Sequence, residues 1–170
     1  MNIANQLTML RIFLVPIFMY FALLNSDKGF LYAGIIFIIA SITDFLDGYL
    51  ARKYNMVTNF GKLMDPLADK ILVLAAMLVF LEMNKIASWM VLIVITRELG
   101  ISIIRAIAAS SGKVIAASYY GKLKTVSQLI GITMILFNIP FGFYVFYISI
   151  FLTAYSGFDY IRLNMEVLKG

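Results

Sequence analysis

Long uncharged runs divide the chain into segments of helical length. The runs are 12–26, 29–43, 71–81, 86–96 and 125–158. The last run is long enough for two short helices, and the residues NIPFG at 138–142 interrupt it, because Pro140 and Gly142 favour a turn. The pattern therefore predicts six helices, at 5–25, 30–53, 61–82, 86–110, 119–138 and 142–165.

Most of these runs are too short to cross a bilayer alone, since a spanning helix needs about 20 mostly apolar residues. Complete spans must therefore include flanking charges, and a charge at that depth is costly unless it faces a wet or paired interior. The charges in question are Asp44, Asp47, Asp65, Asp69, Arg97 and Arg105. The pattern predicts an all-α integral membrane protein with six transmembrane helices around a polar cavity, in one domain over residues 1–170.

Composition supports a membrane protein. Hydrophobic residues make up 62% of the 170 residues, and the mean hydropathy is +0.93, well above soluble domains. Arg11 follows the first polar stretch instead of preceding it, so we expect the first hydrophobic segment to be a retained helix and not a secretory signal.

The basic residues predict the orientation. With six spans, the links at 26–29, 81–85 and 138–142 lie on one side of the membrane. Their only basic residues are Lys28 and Lys85. Cytoplasmic loops are enriched in Lys and Arg, so the opposite side should face the cytoplasm, with the chain in the cell membrane. That richer side carries Arg52, Lys53, Lys62, Lys113, Lys122, Lys124, Arg162 and Lys169.

The available side chains restrict the chemistry. The chain has no cysteine and no histidine, which excludes disulfides, thiolate sites and the commonest general base. Catalysis must therefore use residues such as Asp, Lys, Tyr, Ser or Thr, or a hard metal held by oxygen ligands.

Two pairs of aspartates suit such a metal. Asp44 and Asp47 are three residues apart on one face of the second helix, and Asp65 and Asp69 are four apart on the third. The link between the helices is short, so they should be antiparallel neighbours that bring the four carboxylates together. Anions so close need cations to balance them, and oxygen ligands select Mg²⁺, Mn²⁺ or Ca²⁺. Such a cluster could hold two metals about 3.5–4 Å apart, the arrangement of phosphoryl-transfer sites.

The residues around the aspartates suit a phosphate ligand. Gly48 and Gly61 let a ligand approach the helix backbone, and Ala51 keeps the next turn bare. Arg52 offers a guanidinium fork to a phosphate oxygen.

Together these residues read D-x2-D-G-x2-A-R-x8-G-x3-D-x3-D over 44–69, which resembles the signature of the CDP-alcohol phosphatidyltransferase family. The segments NQLTMLR at 5–11, TRE at 96–98 and GKLKTVSQ at 121–128 resemble the branch of that family that makes phosphatidylglycerol phosphate. The resemblance implies a homodimer in which Asp44, Asp47 and Asp65 bind two divalent metals, Mg²⁺ or Mn²⁺. It also implies that Asp69 lies at the metal site and acts as general base.

The resemblance implies a reaction as well. The phosphatidyl group of CDP-diacylglycerol would pass to sn-glycerol 3-phosphate, giving phosphatidylglycerol phosphate and CMP in phospholipid biosynthesis. Membrane lipid is then a partner, and nucleic acid is not. Relatives with the same core use inositol phosphate, serine or phosphatidylglycerol as acceptor. Buried aspartates alone would also fit a proton or ion path in a small transporter, although such a path needs no phosphate-sized gap.

The remaining candidates divide between the two substrates. The resemblance implies that the CDP pocket is lined by Gly48, Arg52 and Gly61, and further candidates for CDP-diacylglycerol are Asn5, Thr8, Asp44 and Ala51. The candidates for glycerol 3-phosphate are Arg97, Arg105, Lys122 and Lys124. Asn5, Thr8 and Arg11 would equally suit the start of an interfacial helix, and the lysines would suit positive-inside anchors. Arg97 and Glu98 could be structural; being adjacent on a helix they should point different ways and have different partners.

Overall fold

In the computed structural model, the described residues form six α-helices and no strand, as the sequence predicts. Each helix begins and ends within three residues of its predicted bounds. The helices are α1 (Ile3–Leu23), α2 (Asp27–Lys53), α3 (Asn59–Glu82), α4 (Ser88–Ser110), α5 (Tyr119–Leu136) and α6 (Gly142–Leu163). The structure describes the backbone of residues 3–53, 59–110, 115 and 118–165, and their side chains except at 3–4, 45, 47–53, 59–63, 65–66 and 69.

The surface of the described residues is apolar. In this part of the chain, α1 is the one helix long and apolar enough to cross a membrane, over Asn5–Leu23. Large hydrophobic side chains are also exposed along other helices, including Leu92 of α4 and Phe151 and Phe158 of α6. Exposed apolar surface of this extent indicates contact with lipid in a protein of this composition. This surface agrees with the predicted membrane protein.

The helices form two compact units. The first unit comprises residues 1–86 and 136–139, and the second comprises 87–135 and 140–170. In the first unit, α1 packs against both α2 and α3. The helices α2 and α3 also contact each other, as their short link predicts, but less extensively than each contacts α1.

Apolar side chains fill the space between α1 and α2. Phe18 and Ala22 of α1 are fully buried, as are Ala33 and Phe37 of α2. The rings of Phe18 and Phe37 lie 5.8 Å apart at a tilt of 50°, a favourable geometry for aromatic pairs. This contact fixes the apolar half of α1 against α2.

In the second unit, α4 packs against α6, where Ile101, Ile104 and Tyr160 form a buried cluster. The helices α5 and α6 approach each other closely at Gly131. A Cβ on that glycine would lie 2.8 Å from the backbone nitrogen and the Cα of Phe146, closer than real side chains approach. Glycine at 131 therefore sets the spacing of these two helices.

An asparagine with positive φ ends three of the helices. Asn25, Asn84 and Asn138 each follow the last helical residue by two positions, with φ of 48°, 55° and 52°. Asparagine is among the few residues other than glycine that tolerate this left-handed conformation, which commonly ends helices. Asn138 thus stops α5 at the predicted NIPFG break.

The link from α3 to α4 shows the complete capping motif. The backbone N–H of Asn84 donates to the carbonyl of Leu81 at 2.9 Å, and that of Lys85 donates to the carbonyl of Phe80 at 2.8 Å.

The side chain of Lys85 packs on an aromatic ring of α2. Its ammonium group lies 4.1 Å from the centre of the Phe30 ring. Burial there lowers the pKa of Lys85 below its ordinary value. The contact joins the end of α3 to the start of α2 in the first unit.

The contact at Gly131 generates a prediction for stability. Gly131→Ala should destabilise the protein, because the methyl group meets backbone atoms of α6 that cannot move alone. Overpacking of this kind costs about 1–3 kcal/mol, more than the roughly 1 kcal/mol that alanine gains in helix propensity. Thermal unfolding in detergent micelles measures the effect. Gly100→Ala is the matched control, since nothing lies within 4 Å of its new methyl group; equal Tm values for the two variants would contradict the prediction.

Candidate active site

The first half of α1 buries a polar face. Asn5, Thr8 and Arg11 recur every three residues and are all buried, and the same face continues with the buried, apolar Val15 and Phe18. Residues three or four apart share a face of a helix, so one stripe is polar near its start and apolar beyond. This face of α1 is therefore turned to the interior of the first unit.

Arg11 makes an ion pair with the first aspartate of the motif. Its Nη1 lies 2.7 Å from Oδ1 of Asp44, and the Arg11 side chain is 0% exposed while that of Asp44 is 43% exposed. A buried guanidinium requires such a partner, because an uncompensated charge in a low-dielectric interior is costly. The contact joins α1 to α2 within the first unit and fixes one oxygen of Asp44.

The donor chemistry at Asp44 fits a divalent metal. One carboxylate oxygen is held by Arg11, and the exposure of the side chain leaves the group accessible to a hard cation, which prefers oxygen ligands. Among the described residues, no three acidic or metal-ligating side chains lie close enough to hold a metal. The agreement between this site and a divalent metal therefore depends on the carboxylate of Asp44 and on the residue types at the other motif positions.

The other motif side chains lie outside the described residues. Their backbone is helical, in α2 or α3, which agrees with the predicted helices that carry the motif. The side chains are those of Asp47, Gly48, Ala51, Arg52, Gly61, Asp65 and Asp69.

The second unit holds a separate cluster of charges. Oε1 of Glu98 accepts hydrogen bonds from Nη1 of Arg97 at 2.9 Å and from Nζ of Lys124 at 2.5 Å. All three side chains are mostly buried, with exposures of 13% for Arg97, 14% for Glu98 and 6% for Lys124. The expectation that Arg97 and Glu98 have different partners is confirmed only in part: Glu98 also bonds Lys124, but the long Arg97 side chain curls back to its neighbour.

Arg97 is also fixed by α6. Its Nε donates to Oγ of Ser156 at 3.2 Å, and Ser156 in turn donates to the carbonyl of Thr153 at 3.0 Å. Ser149, Thr153 and Ser156 form a buried polar stripe on α6. Their spacing of four and three residues places them on one face of a helix, which is visible in the sequence. They carry no charge, so a prediction from charged positions does not include them, and the pairing of Arg11 with Asp44 was not predicted either.

The other two predicted acceptor residues are more exposed. Nε of Arg105 donates to the phenol oxygen of Tyr160 at 3.1 Å, and Lys122 is exposed on the first turn of α5. Among the four predicted cations, the structure thus joins Arg97 and Lys124 through Glu98. It places Arg105 two turns further along α4, against α6.

An apolar groove of about 380 Å³ runs between α4 and α6. Most of its lining is aliphatic or glycine, with Thr96 and Arg97 as the polar exceptions. Such a lining suits hydrocarbon and not a charged phosphate acceptor. The groove therefore does not replace the cationic residues as a candidate acceptor site.

A family model, CDP-alcohol phosphatidyltransferase, matches residues 1–155. The chain belongs to this family. The match spans α1 to α5 and most of α6, so it includes the Arg11–Asp44 pair and the cluster around Glu98. The described residues of this family member thus contain two charged centres, each with buried basic side chains.

Relatives within the family are similar over nearly the whole chain. The chain is 42% identical, over 188 aligned positions, to a CDP-diacylglycerol–glycerol-3-phosphate 3-phosphatidyltransferase of Bacillus subtilis, with 99% of this chain and 97% of the relative covered. It is 35% identical to a protein of the same name from Haemophilus influenzae, with coverage of 99% and 94%. A probable phosphatidylglycerophosphate synthase of Mycobacterium tuberculosis is 36% identical, with coverage of 99% and 84%.

The ion pair predicts that its two residues are coupled in stability. Asp44→Asn and Arg11→Met each remove the same 2.7 Å contact, so each should destabilise the protein. The double variant should lose less stability than the sum of the two single losses, because the shared contact can be lost only once. The measurement is thermal unfolding of each single variant and of the double variant in detergent micelles. Strictly additive losses would contradict the prediction.

Proposed function

We propose that this chain transfers the phosphatidyl group of CDP-diacylglycerol to sn-glycerol 3-phosphate, releasing CMP and phosphatidylglycerol phosphate. The observation that carries the proposal is the similarity, over 99% of the chain, to relatives named for this reaction. The motif at 44–69 supports it, because every fixed position is filled. Buried cations in the second unit supply the chemistry that an anionic acceptor requires.

The proposal includes the setting of the enzyme. All six helices cross the cell membrane, with the basic loops and the active site on the cytoplasmic side, and the enzyme is a homodimer. The exposed apolar side chains and the distribution of Lys and Arg support this placement. We treat residues 1–170 as one domain, since the family match extends through both compact units.

Two divalent cations, Mg²⁺ or Mn²⁺, belong to the proposed site, with Asp44, Asp47, Asp65 and Asp69 as ligands. When bound, they would neutralise the pyrophosphate and stabilise the departing CMP. Arg11 supports this assignment, because it holds Oδ1 of Asp44 in a fixed position and so reduces the carboxylate's freedom before a cation binds.

The chain's own residues then bind and activate the substrates. Arg52 donates to a phosphate oxygen of CDP, beside the small residues Gly48, Ala51 and Gly61, with Asn5 and Thr8 on the buried polar face of α1. Asp69 accepts the proton of the acceptor hydroxyl. The hydroxyl oxygen attacks the β-phosphorus, the bond from that phosphorus to the bridging oxygen breaks, and CMP leaves with the electron pair.

The acceptor phosphate is assigned to the cations of the second unit. A dianion at membrane depth needs several cationic donors, because an unpaired charge there is costly. Arg97 and Lys124 are two such donors, both mostly buried and both held by Glu98. Arg105 and Lys122 add two exposed cations on α4 and α5.

The acceptor identity is tested with a panel of substrates. The purified chain in detergent micelles is given CDP-diacylglycerol with glycerol 3-phosphate, inositol phosphate, serine or phosphatidylglycerol, and CMP release is measured. We expect release with glycerol 3-phosphate, matched by phosphatidylglycerol phosphate. Use of uncharged serine at a similar rate would overturn the acceptor assignment, and failure to bind CMP in the presence of metal would favour a transporter.

The metal assignment predicts the effect of ligand removal. Asp47→Asn and Asp65→Asn each remove an anionic ligand and should lower turnover about a hundredfold or more, and excess chelator should abolish wild-type activity. Asp27→Asn, on an exposed residue at the opposite end of α2, is the matched control and should retain activity. Normal turnover in excess chelator would refute the two-metal mechanism.

A further inference from the structure

The guanidinium of Arg97 is held at two of its three nitrogens. Nε donates to Ser156 and Nη1 donates to Glu98, at 3.2 and 2.9 Å. The aliphatic stem is confined as well, since a Cβ at Gly157 would lie 3.1 Å from Cγ of Arg97. A side chain fixed at its stem and at two nitrogens loses most of its rotamer freedom on folding, so a ligand need not restrict it again.

The third nitrogen, Nη2, lies over the bare backbone of Gly121. A Cβ on that glycine would lie 3.0 Å from Nη2. Within the described part of the chain, Nη2 has no protein hydrogen-bond acceptor. Because Gly121 has no side chain, it leaves Nη2 uncovered. Nη2 is the one guanidinium nitrogen that bonds no acceptor among the described residues.

The start of α5 fixes Gly121 in this place. The backbone N–H of Gly121 donates to Oγ of Ser118 at 3.1 Å, the usual N-cap bond of a helix. The carbonyl of Gly121 accepts from Oγ of Thr125 at 3.0 Å. The glycine is thus part of a rigid first turn and not of a mobile loop.

The donor at Nη2 suits an anion. A phosphate oxygen accepts charge-assisted hydrogen bonds from guanidinium N–H groups. The Arg97 side chain is only 13% exposed, so water would screen such a contact weakly.

We infer that Ser156 and Gly121 set the acceptor specificity of the enzyme. Ser156 positions the Arg97 guanidinium, and the absence of a side chain at Gly121 leaves Nη2 open to a phosphate oxygen of the acceptor. The identity of the acceptor, glycerol 3-phosphate, rests on the proposed function. The binding of a phosphate group at Nη2 does not.

Three single variants of the full chain test this role. Gly121→Ala covers Nη2 with a methyl group, and Ser156→Ala removes the acceptor of Nε without adding an atom. Gly100→Ala adds the same methyl group to α4 where nothing lies within 4 Å. For each variant, CMP release gives the KM for glycerol 3-phosphate, the KM for CDP-diacylglycerol and kcat, and inorganic phosphate serves as a competitor of the acceptor.

Gly121→Ala should raise the KM for glycerol 3-phosphate about tenfold, the loss of one charge-assisted hydrogen bond. Ser156→Ala should raise it about fivefold, as for a neutral hydrogen bond. The KM for CDP-diacylglycerol should stay within about twofold in both, because the lost contacts are made to the acceptor alone. The inhibition constant of phosphate should rise in parallel, and Gly100→Ala should match the wild type.

Equal effects of Gly121→Ala and Gly100→Ala, or equal rises in both KM values, would overturn the inference. An unchanged inhibition constant of phosphate in Ser156→Ala would also overturn it. That result does not depend on whether Gly121→Ala folds. If the wild type uses another phosphorylated acceptor, the proposed acceptor is wrong, but weaker inhibition by phosphate in the variants would still support the role of these residues.

Discussion

Every charge inside these helices must be compensated, because the surrounding lipid cannot solvate it. The structure meets this constraint in the first unit with the Arg11–Asp44 pair and in the second with Glu98, which bonds both Arg97 and Lys124. These contacts connect different helices of the same unit. The polar chemistry of the enzyme therefore also determines which helix faces meet.

Small residues make these charged contacts geometrically feasible. Glycines at 121 and 157 let α5 and α6 approach the long Arg97 side chain, and Gly131 brings the backbones of α5 and α6 together. Lipid-embedded helices gain little from the hydrophobic effect between them, so close packing and polar contacts supply most of their association. Gly131 thus serves helix packing, whereas Gly121 and Gly157 make room for the Arg97 side chain.

The sequence predicted the helices well because uncharged runs and turn residues are local signals. The NIPFG break, for example, is visible in five letters, and Asn138 ends α5 there with a positive φ. The pairing of side chains is not local. The pairing of Arg11 with Asp44 depends on how α1 packs against α2, and Arg97 bonds its neighbour Glu98 because a long side chain can curl back along the helix. Helical periodicity assigns faces to residues, but it does not give the reach of a flexible side chain.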